Sequence, residues 1–179
     1  MPALFASLPK RVVLASGSPR RAELLRQIGV MFTTVVPDVD ETVGEGEAPG
    51  AYVARVAAAK AERAATLTPL RPVVAADTTV TLEEEDGTTR ILTKPRDEAE
   101  AAAFLRLLAG RTHRVMTAVC VVSEEGTASD VVTTDVTFAP VTEDDVLAYV
   151  ATGEPFGKAG GYAIQGMAAV FVARIEGTV

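Results

Sequence analysis

The sequence predicts an α/β fold built on a mixed β-sheet flanked by helices, and three observations carry that expectation. Short apolar runs of strand type alternate with helix-patterned segments along the chain. Hairpin signals cluster in the middle, so part of the sheet is antiparallel. The 179 residues show no internal repeat, low-complexity tail or linker, which predicts one domain over residues 1–179.

The elements follow in order. "RVVLAS", from Arg11 to Ser16, is a β-branched run of buried-strand type. Gly17 breaks it, and Ser18-Pro19 opens a helix, serine being a good N-cap and proline tolerated at the first helical position. Leu24, Leu25 and Ile28 form its predicted apolar face, and Gly29 closes it. "MFTTVV" is the next strand and "PDVDETVGEGEAPG" a polar loop. A helix from about Ala51 to Ala65 carries the stripe Val53, Val56, Ala57 and Ala64, with Lys60 on the same stripe. "PVVAAD" reads as a buried strand ending at Asp77, followed by a hairpin turning at Asp86-Gly87. Asp97, with Glu100 three residues on, caps a helix that ends at Gly110. A long hairpin follows around a Glu-Gly turn, then a capped helix from Thr142 to Gly153. The glycine-dense "EPFGKAGGYAIQG" leads to a last strand in "AAVFVARI".

Bulk properties exclude several classes. The net charge of −7, from 17 basic and 24 acidic residues, gives no global basic field for a nucleic-acid polymer. A polyanionic substrate then requires cations concentrated at one place. The lone Cys120 builds no disulfide framework and no cysteine zinc site, and "TAVCVV" reads as core. No apolar run approaches ~18 residues, so no membrane span is expected. The amino terminus lacks the pattern of a signal peptide, and a cytoplasmic protein is the default.

Several loop residues need a cause. Arg20 and Arg21 stand in the first turn of a helix, where the dipole opposes cations by about 0.3–1 kcal/mol each. Either both side chains are solvated, or an external anion sits at the helix N-terminus, and guanidinium forks match phosphate oxygens. Lys60 either lays its stem on the core with its amine in water, or presents that amine to a phosphate. Asp77, with Thr78 and Thr79 behind it, either caps a loop or serves a site at a strand end. Asp38, Asp40 and Glu41 form a solvated acidic loop or a set of hard oxygen ligands for Mg2+ or Mn2+. Lys94 fits surface charge or a phosphate contact. Gln165 fits a flexible loop or an amide that reads a base edge. His113, the only histidine, reads as structural, leaving little support for a Ser–His–acid hydrolase.

Taken together, "LASGSPRRAELLRQIG", "PDVDE", "YVARVAAAKAERA", "AADTTV", "KPRDEAEAAAFLRLLAGRTHRV", "TDVTFAP" and "YVATGEPFGKAGGYAIQG" resemble the Maf family of nucleoside triphosphate pyrophosphatases. The resemblance covers nearly the whole chain. It implies an elongated body with two lobes around a deep cleft. It also implies a reaction in which a nucleoside triphosphate and water give the monophosphate and pyrophosphate, with a divalent cation as cofactor. By position, it gives the triphosphate grip to Ser16, Ser18, Arg20 and Arg21, with Thr78 beside them. Lys60 and Lys94 become further phosphate contacts, and Glu41 and Asp77 the acidic pair that holds metal and activates water, Asp77 as general base. Gln165 becomes the base reader.

The "YAIQG" segment is similar to the subgroup preferring dTTP and UTP. A 7-methyl-GTP or other modified-nucleotide pyrophosphatase is the alternative within enzymes, and a nucleotide-binding regulator of cell division the alternative outside them. The family also suggests a homodimer. Gly17, between the serines, and Thr93, before Lys94, depart from the usual family residues. The terminal "RIEGTV" stands where the family continues into an "NVVGLP"-like closing segment, whose absence is expected to bear on activity or stability.

Overall fold

The computed structural model of the chain describes residues 11–177. The amino-terminal residues read above for a signal peptide, and the last two of "RIEGTV", lie outside the described residues. Strand β1 (Arg11–Ala15) opens the described chain, followed by α1 (Pro19–Gln27), β2 (Met31–Val35), α2 (Pro49–Leu67), β3 (Val73–Glu83) and β4 (Thr89–Leu92). Then come α3 (Glu98–Leu108), the long hairpin β5 (Thr112–Ser123) and β6 (Gly126–Phe138), α4 (Glu143–Ala151), two short 3-10 turns, and β7 (Val172–Glu176). The strands order as β2-β1-β3-β5-β6-β7, with β4 paired to β3, so the sheet is mixed as expected.

Two compact units divide the chain. The first holds the described residues up to Asp77 together with Ala118–Val131. Here β1 pairs in parallel with β2 (Val13 opposite Thr33) and with β3 (Val13 opposite Val73). A parallel strand covered on both faces needs apolar residues throughout. Accordingly Val12, Val13, Leu14 and Ala15 are all buried. Helix α2 buries Tyr52, Val53, Val56, Ala57, Lys60, Ala61 and Ala64, so the lysine sits on the buried face with the alanines.

Helix α1 starts on Ser18, in extended conformation, with Pro19 in the first turn. It ends in a Schellman motif: Gly29, at φ 75°, donates to Arg26 and Val30 donates to Leu25. Its expected apolar face is not buried. Leu24 and Ile28 are exposed, and no residue of the helix is core. The leucine spacing marked the helix correctly but not a buried side.

The second unit comprises Thr78–Thr117 and the described residues from Val132 onward. Its core gathers Val80, Leu82, Leu92, Leu105, Leu108, Phe138, Tyr149 and Tyr162. The hairpin β3–β4 is antiparallel, Leu82 opposite Arg90, and turns through Gly87 at φ 80° as its sequence required. Asp97 caps α3 by accepting from the Glu100 backbone N–H at 2.8 Å, while the Glu100 carboxylate turns to Arg96 rather than closing a capping box. Thr142 and Asp145 do form a reciprocal capping box on α4. His113 is buried, its Nε2 2.7 Å from the Tyr162 hydroxyl, with Phe138 edge-on to both rings.

Two boundaries differ from the sequence reading. β3 does not stop at Asp77 but continues to Glu83, because Val80 and Leu82 go on supplying buried apolar positions. The last apolar run is not one strand. Met167–Phe171 winds as a 3-10 turn, and only Val172–Glu176 pairs with β6.

Candidate active site

The site in the first unit is built from β1, the start of α1, the acidic loop, α2 and β3. At the end of β1 the chain delivers Ser16 into a buried position. Its Oγ accepts the Ser18 backbone N–H at 3.2 Å and an Arg21 guanidinium N–H at 3.1 Å. Ser18 itself makes no side-chain cap, so Ser16 shapes this helix entry. Arg21 also donates to the Ala76 carbonyl on β3 at 2.6 Å, tying the helix start to the strand that carries Asp77. Burial lowers the Arg21 pKa, and the negative charges of Asp77 and Glu41 pull it back up. The guanidinium thus lies in the field of both acids and stays charged. The anomaly of a cation at a helix N-terminus is resolved for Arg21 by these local partners. Arg20 is exposed.

Lys60 departs furthest from the sequence expectation. Its amine is neither in water nor unaccompanied. The Lys60 Nζ donates to Asp77 Oδ1 at 2.7 Å and pairs with Glu41 Oε1 at 2.7 Å. Lys60 and Asp77 are 8% and 7% exposed, so this pair is out of water, while the Glu41 side chain, at 37%, meets it from the solvent side. Removing the lysine would take from the buried Asp77 carboxylate its directly bonded counter-charge, at about 3–5 kcal/mol.

Glu41 reaches the triad because α2 holds its loop. The Tyr52 hydroxyl donates to the Glu41 carbonyl at 3.0 Å. Arg55 donates to the Thr42 carbonyl at 2.9 Å and grips the Glu47 carboxylate with two nitrogens, at 2.7 and 2.9 Å. That fork, with the Gly44 backbone N–H, pulls the Glu47 pKa down to about 2. Sequence reading passed over Tyr52 and Arg55. Tyr52 stands two turns before Lys60 and Arg55 between them on the same helix, but residue type does not mark a role in holding a loop's backbone. Asp40 accepts from the Thr42 backbone N–H at 2.8 Å, a local loop contact, and Asp38 is exposed.

The structure therefore brings Ser16, Arg21, Glu41, Lys60 and Asp77 together. Ser18 and Arg20 stand in the same unit at the start of α1, whereas Thr78, Lys94 and Gln165 are carried by the second unit. Thr78, the next residue along β3, bonds Thr117 side chain to side chain at 3.1 Å. Lys94 is exposed between β4 and Pro95. Gln165 is exposed in a turn closed by the Gly166 N–H on the Ala163 carbonyl at 2.9 Å. A glutamate missed in the sequence fastens that turn. Glu154 accepts from the Tyr149 hydroxyl at 2.9 Å and from the Met167 and Ala168 backbone N–H groups at 2.9 and 3.3 Å. A Cβ on Gly166 would collide with this pinned carboxylate, which is why glycine stands there. Gly160 is fixed similarly, its missing Cβ facing Val80 at 2.8 Å.

The donor set fits a divalent cation. No cluster of three or more His, Cys, Asp or Glu suited to a metal occurs among the described residues, but two carboxylate oxygens already converge on one cationic atom. Mg2+ commonly uses one or two carboxylates and takes its other ligands from water and substrate phosphates. Among the described residues no helix is long and apolar enough to cross a membrane.

Known proteins are similar to this chain in sequence. Residues 11–179 match the family described as Maf-like protein. The dTTP/UTP pyrophosphatase of Ralstonia nicotianae is 50% identical over 177 residues, covering 92% of this chain and 83% of the relative. That of Burkholderia thailandensis is 51% identical over 180 residues, covering 93% and 83%. That of Salmonella typhimurium is 48% identical over 166 residues, covering 92% and 82%. The solved structure of the Staphylococcus aureus Ham1 protein covers 73% of this chain and 72% of its own at 17% identity and TM-score 0.49, too distant a likeness to carry an argument. With about half its residues shared over more than nine-tenths of its length, and the family match running through every element of the site, the chain belongs to the Maf-like protein family.

Proposed function

We propose that this chain is a dTTP/UTP pyrophosphatase, cleaving the bond between the α- and β-phosphates with water to give the nucleoside monophosphate and pyrophosphate. The observation that carries the reading is the meeting of Lys60 with Glu41 and Asp77 beside the Ser16–Arg21 pair. It puts acids for a cation and a base next to guanidinium and ammonium groups for phosphates. The names of the relatives, at about half identity, support the same substrates.

A divalent cation, Mg2+ or Mn2+, held by Glu41 and Asp77 would neutralise phosphate charge and stabilise charge developing in the reaction. The chain's own residues do the rest. Arg21 and Ser16 hold phosphate oxygens at the helix start, with Arg20 and Ser18 beside them. Lys60 adds a positive charge from a buried position, where electrostatic stabilisation is strongest. Asp77 takes the proton from the attacking water. Lys94 is a further phosphate contact, Thr78 supports substrate binding, and Gln165 reads the imide edge that uracil and thymine share. An acidic protein that holds a polyanion needs such local concentration of cations, which agrees with the net charge of −7. The protein acts in the cytoplasm, and as a homodimer.

The test is pyrophosphate release across a panel of triphosphates with Mg2+ or Mn2+. Turnover of dTTP and UTP well above the purines is expected. Preference for 7-methyl-GTP would replace the substrate assignment, and nucleotide binding without release would replace the enzyme by a regulator.

A further inference from the structure

Two carboxylates and a divalent cation would complete the proposed site, yet the place where the carboxylates converge is held by an ammonium. We infer that Lys60 is the built-in counter-ion of the metal site: it neutralises Glu41 and Asp77 before a cation binds, and gives way when one does. The inference rests on the reading that these two acids hold the metal.

Both acidic oxygens lie 2.7 Å from the same Lys60 Nζ. A magnesium ion bound by both would need each at about 2.0–2.1 Å, in essentially the position of that nitrogen. Two cationic centres cannot share it. Lysine suits such an exchange. Its charge is a compact point on four rotatable bonds, so the ammonium can swing while its stem stays on the buried face of α2. A fixed guanidinium fork would not release so readily. The exchange explains why a lysine stands among alanines on a buried stripe. Without a positive charge there, the two acids would repel each other at close range; the ammonium removes that cost until a metal takes its place, while Tyr52 and Arg55 go on holding the Glu41 loop. Displaced, the same charge becomes available to a phosphate.

The consequence runs against the usual expectation for an active-site lysine. Removing it should strengthen metal binding to the nucleotide-free protein, because the cation no longer competes with a resident charge. The experiment is Mn2+ binding at pH 8 without nucleotide, read by the electron paramagnetic resonance of free Mn2+. It compares the unmodified protein with Lys60→Met, Lys60→Gln, Glu41→Gln and Asp77→Asn. The expected result is at least ~10-fold tighter binding in both Lys60 variants, and loss of binding in both acid variants. Thermal midpoints give an independent reading, with Mn2+ raising that of Lys60→Met more than that of the unmodified protein. Should Lys60→Met fold poorly, Lys60→Gln, which keeps a donor toward the acids, carries the comparison. Equal or weaker Mn2+ binding in the Lys60 variants, with binding still lost in the acid variants, overturns the counter-ion role and leaves the metal site standing. Unchanged binding in the acid variants removes the metal site, and the inference with it.

Discussion

Replacing Asp77 by asparagine separates charge from shape. Asparagine keeps the volume and an acceptor oxygen, so the contact with Lys60 Nζ, at 2.7 Å in the native protein, has a geometric substitute. Lys60 also retains Glu41 as an ionic partner, so the variant is expected to fold. What disappears is the carboxylate proposed to accept a proton from water. General-base catalysis contributes roughly 10²–10⁴-fold, which corresponds to about 3–5 kcal/mol of barrier. Turnover of dTTP should therefore fall by at least ~10² while a non-hydrolysable analogue still binds. The assay pairs pyrophosphate release at saturating dTTP with calorimetric binding of the analogue, so that a defect in the grip is not mistaken for one in the chemistry. A kcat within a few-fold of the unmodified protein would refute the role of Asp77, however well the triad is formed.

Four further outcomes are expected. Gln165→Ala should compress the ratio of kcat/KM between pyrimidine and purine triphosphates more than it lowers kcat for dTTP, and an equal fall for all substrates would deny it a role in reading the base. Glu154→Ala leaves one hydroxyl and two backbone N–H groups without their acceptor, and should cost about 3 kcal/mol in urea unfolding, given about 1–3 kcal/mol for each unsatisfied group and partial rescue by water; an unchanged midpoint would show that the turn is held otherwise. Tyr52→Phe removes the hydroxyl that holds the Glu41 carbonyl at 3.0 Å, and should raise the Mg2+ concentration needed for half-maximal turnover, whereas an unaltered requirement would leave that bond without consequence for the site. His113 has its pKa pushed down to about 4 by burial, against the weaker pulls of a backbone hydrogen bond to Arg111 and the charge of Asp135. The unfolded chain then binds the extra proton first, so this contribution is complete above pH ~6.5 and is lost as pH falls toward 4, about 3 kcal/mol in all. Thermal melts from pH 7.5 to 4.5 should show a shallower fall for His113→Phe than for the native protein, and parallel curves would rule the histidine out.

Much of the fold was legible because local chemistry decided it. The Ser18-Pro19 start, the Gly29 stop, the Asp86-Gly87 turn and the Asp97 and Thr142 caps are each set by residues within a few positions of one another. Non-local packing decided what was missed. Nothing within α1 distinguishes a leucine facing a core from one facing water, and Leu24 and Ile28 turn out exposed. Asp77 looked like a strand end because a charge interrupted the apolar run, yet it is tolerated in mid-strand since Lys60 neutralises it. Of the site, the residue types were readable and the partnerships were not. The spacing of Lys60 marked it as anomalous, but that both Glu41 and Asp77 would converge on it depends on where a loop and a distant strand arrive. Tyr52, Arg55 and Glu154 were invisible for a related reason: each acts by holding backbone, and backbone contacts leave no signature in residue type.

The contacts that assemble the first unit's site span very different stretches of chain. Ser16 and Arg21 are 5 positions apart, the Tyr52–Glu41 latch spans 11, and Lys60 to Asp77 spans 17. The bond from Arg21 to Ala76 spans 55. Loop-closure entropy rises with span, so the short connections form at lower cost and the long one last. On a growing or refolding polypeptide, the acidic loop is latched to its helix early, whereas Ser16 and Arg21 meet the strand of Asp77 only once the first and third strands have found each other. Completion of the proposed site is thus an end point of folding, and a chain stalled before that pairing is expected to display native-like helical signal with no turnover.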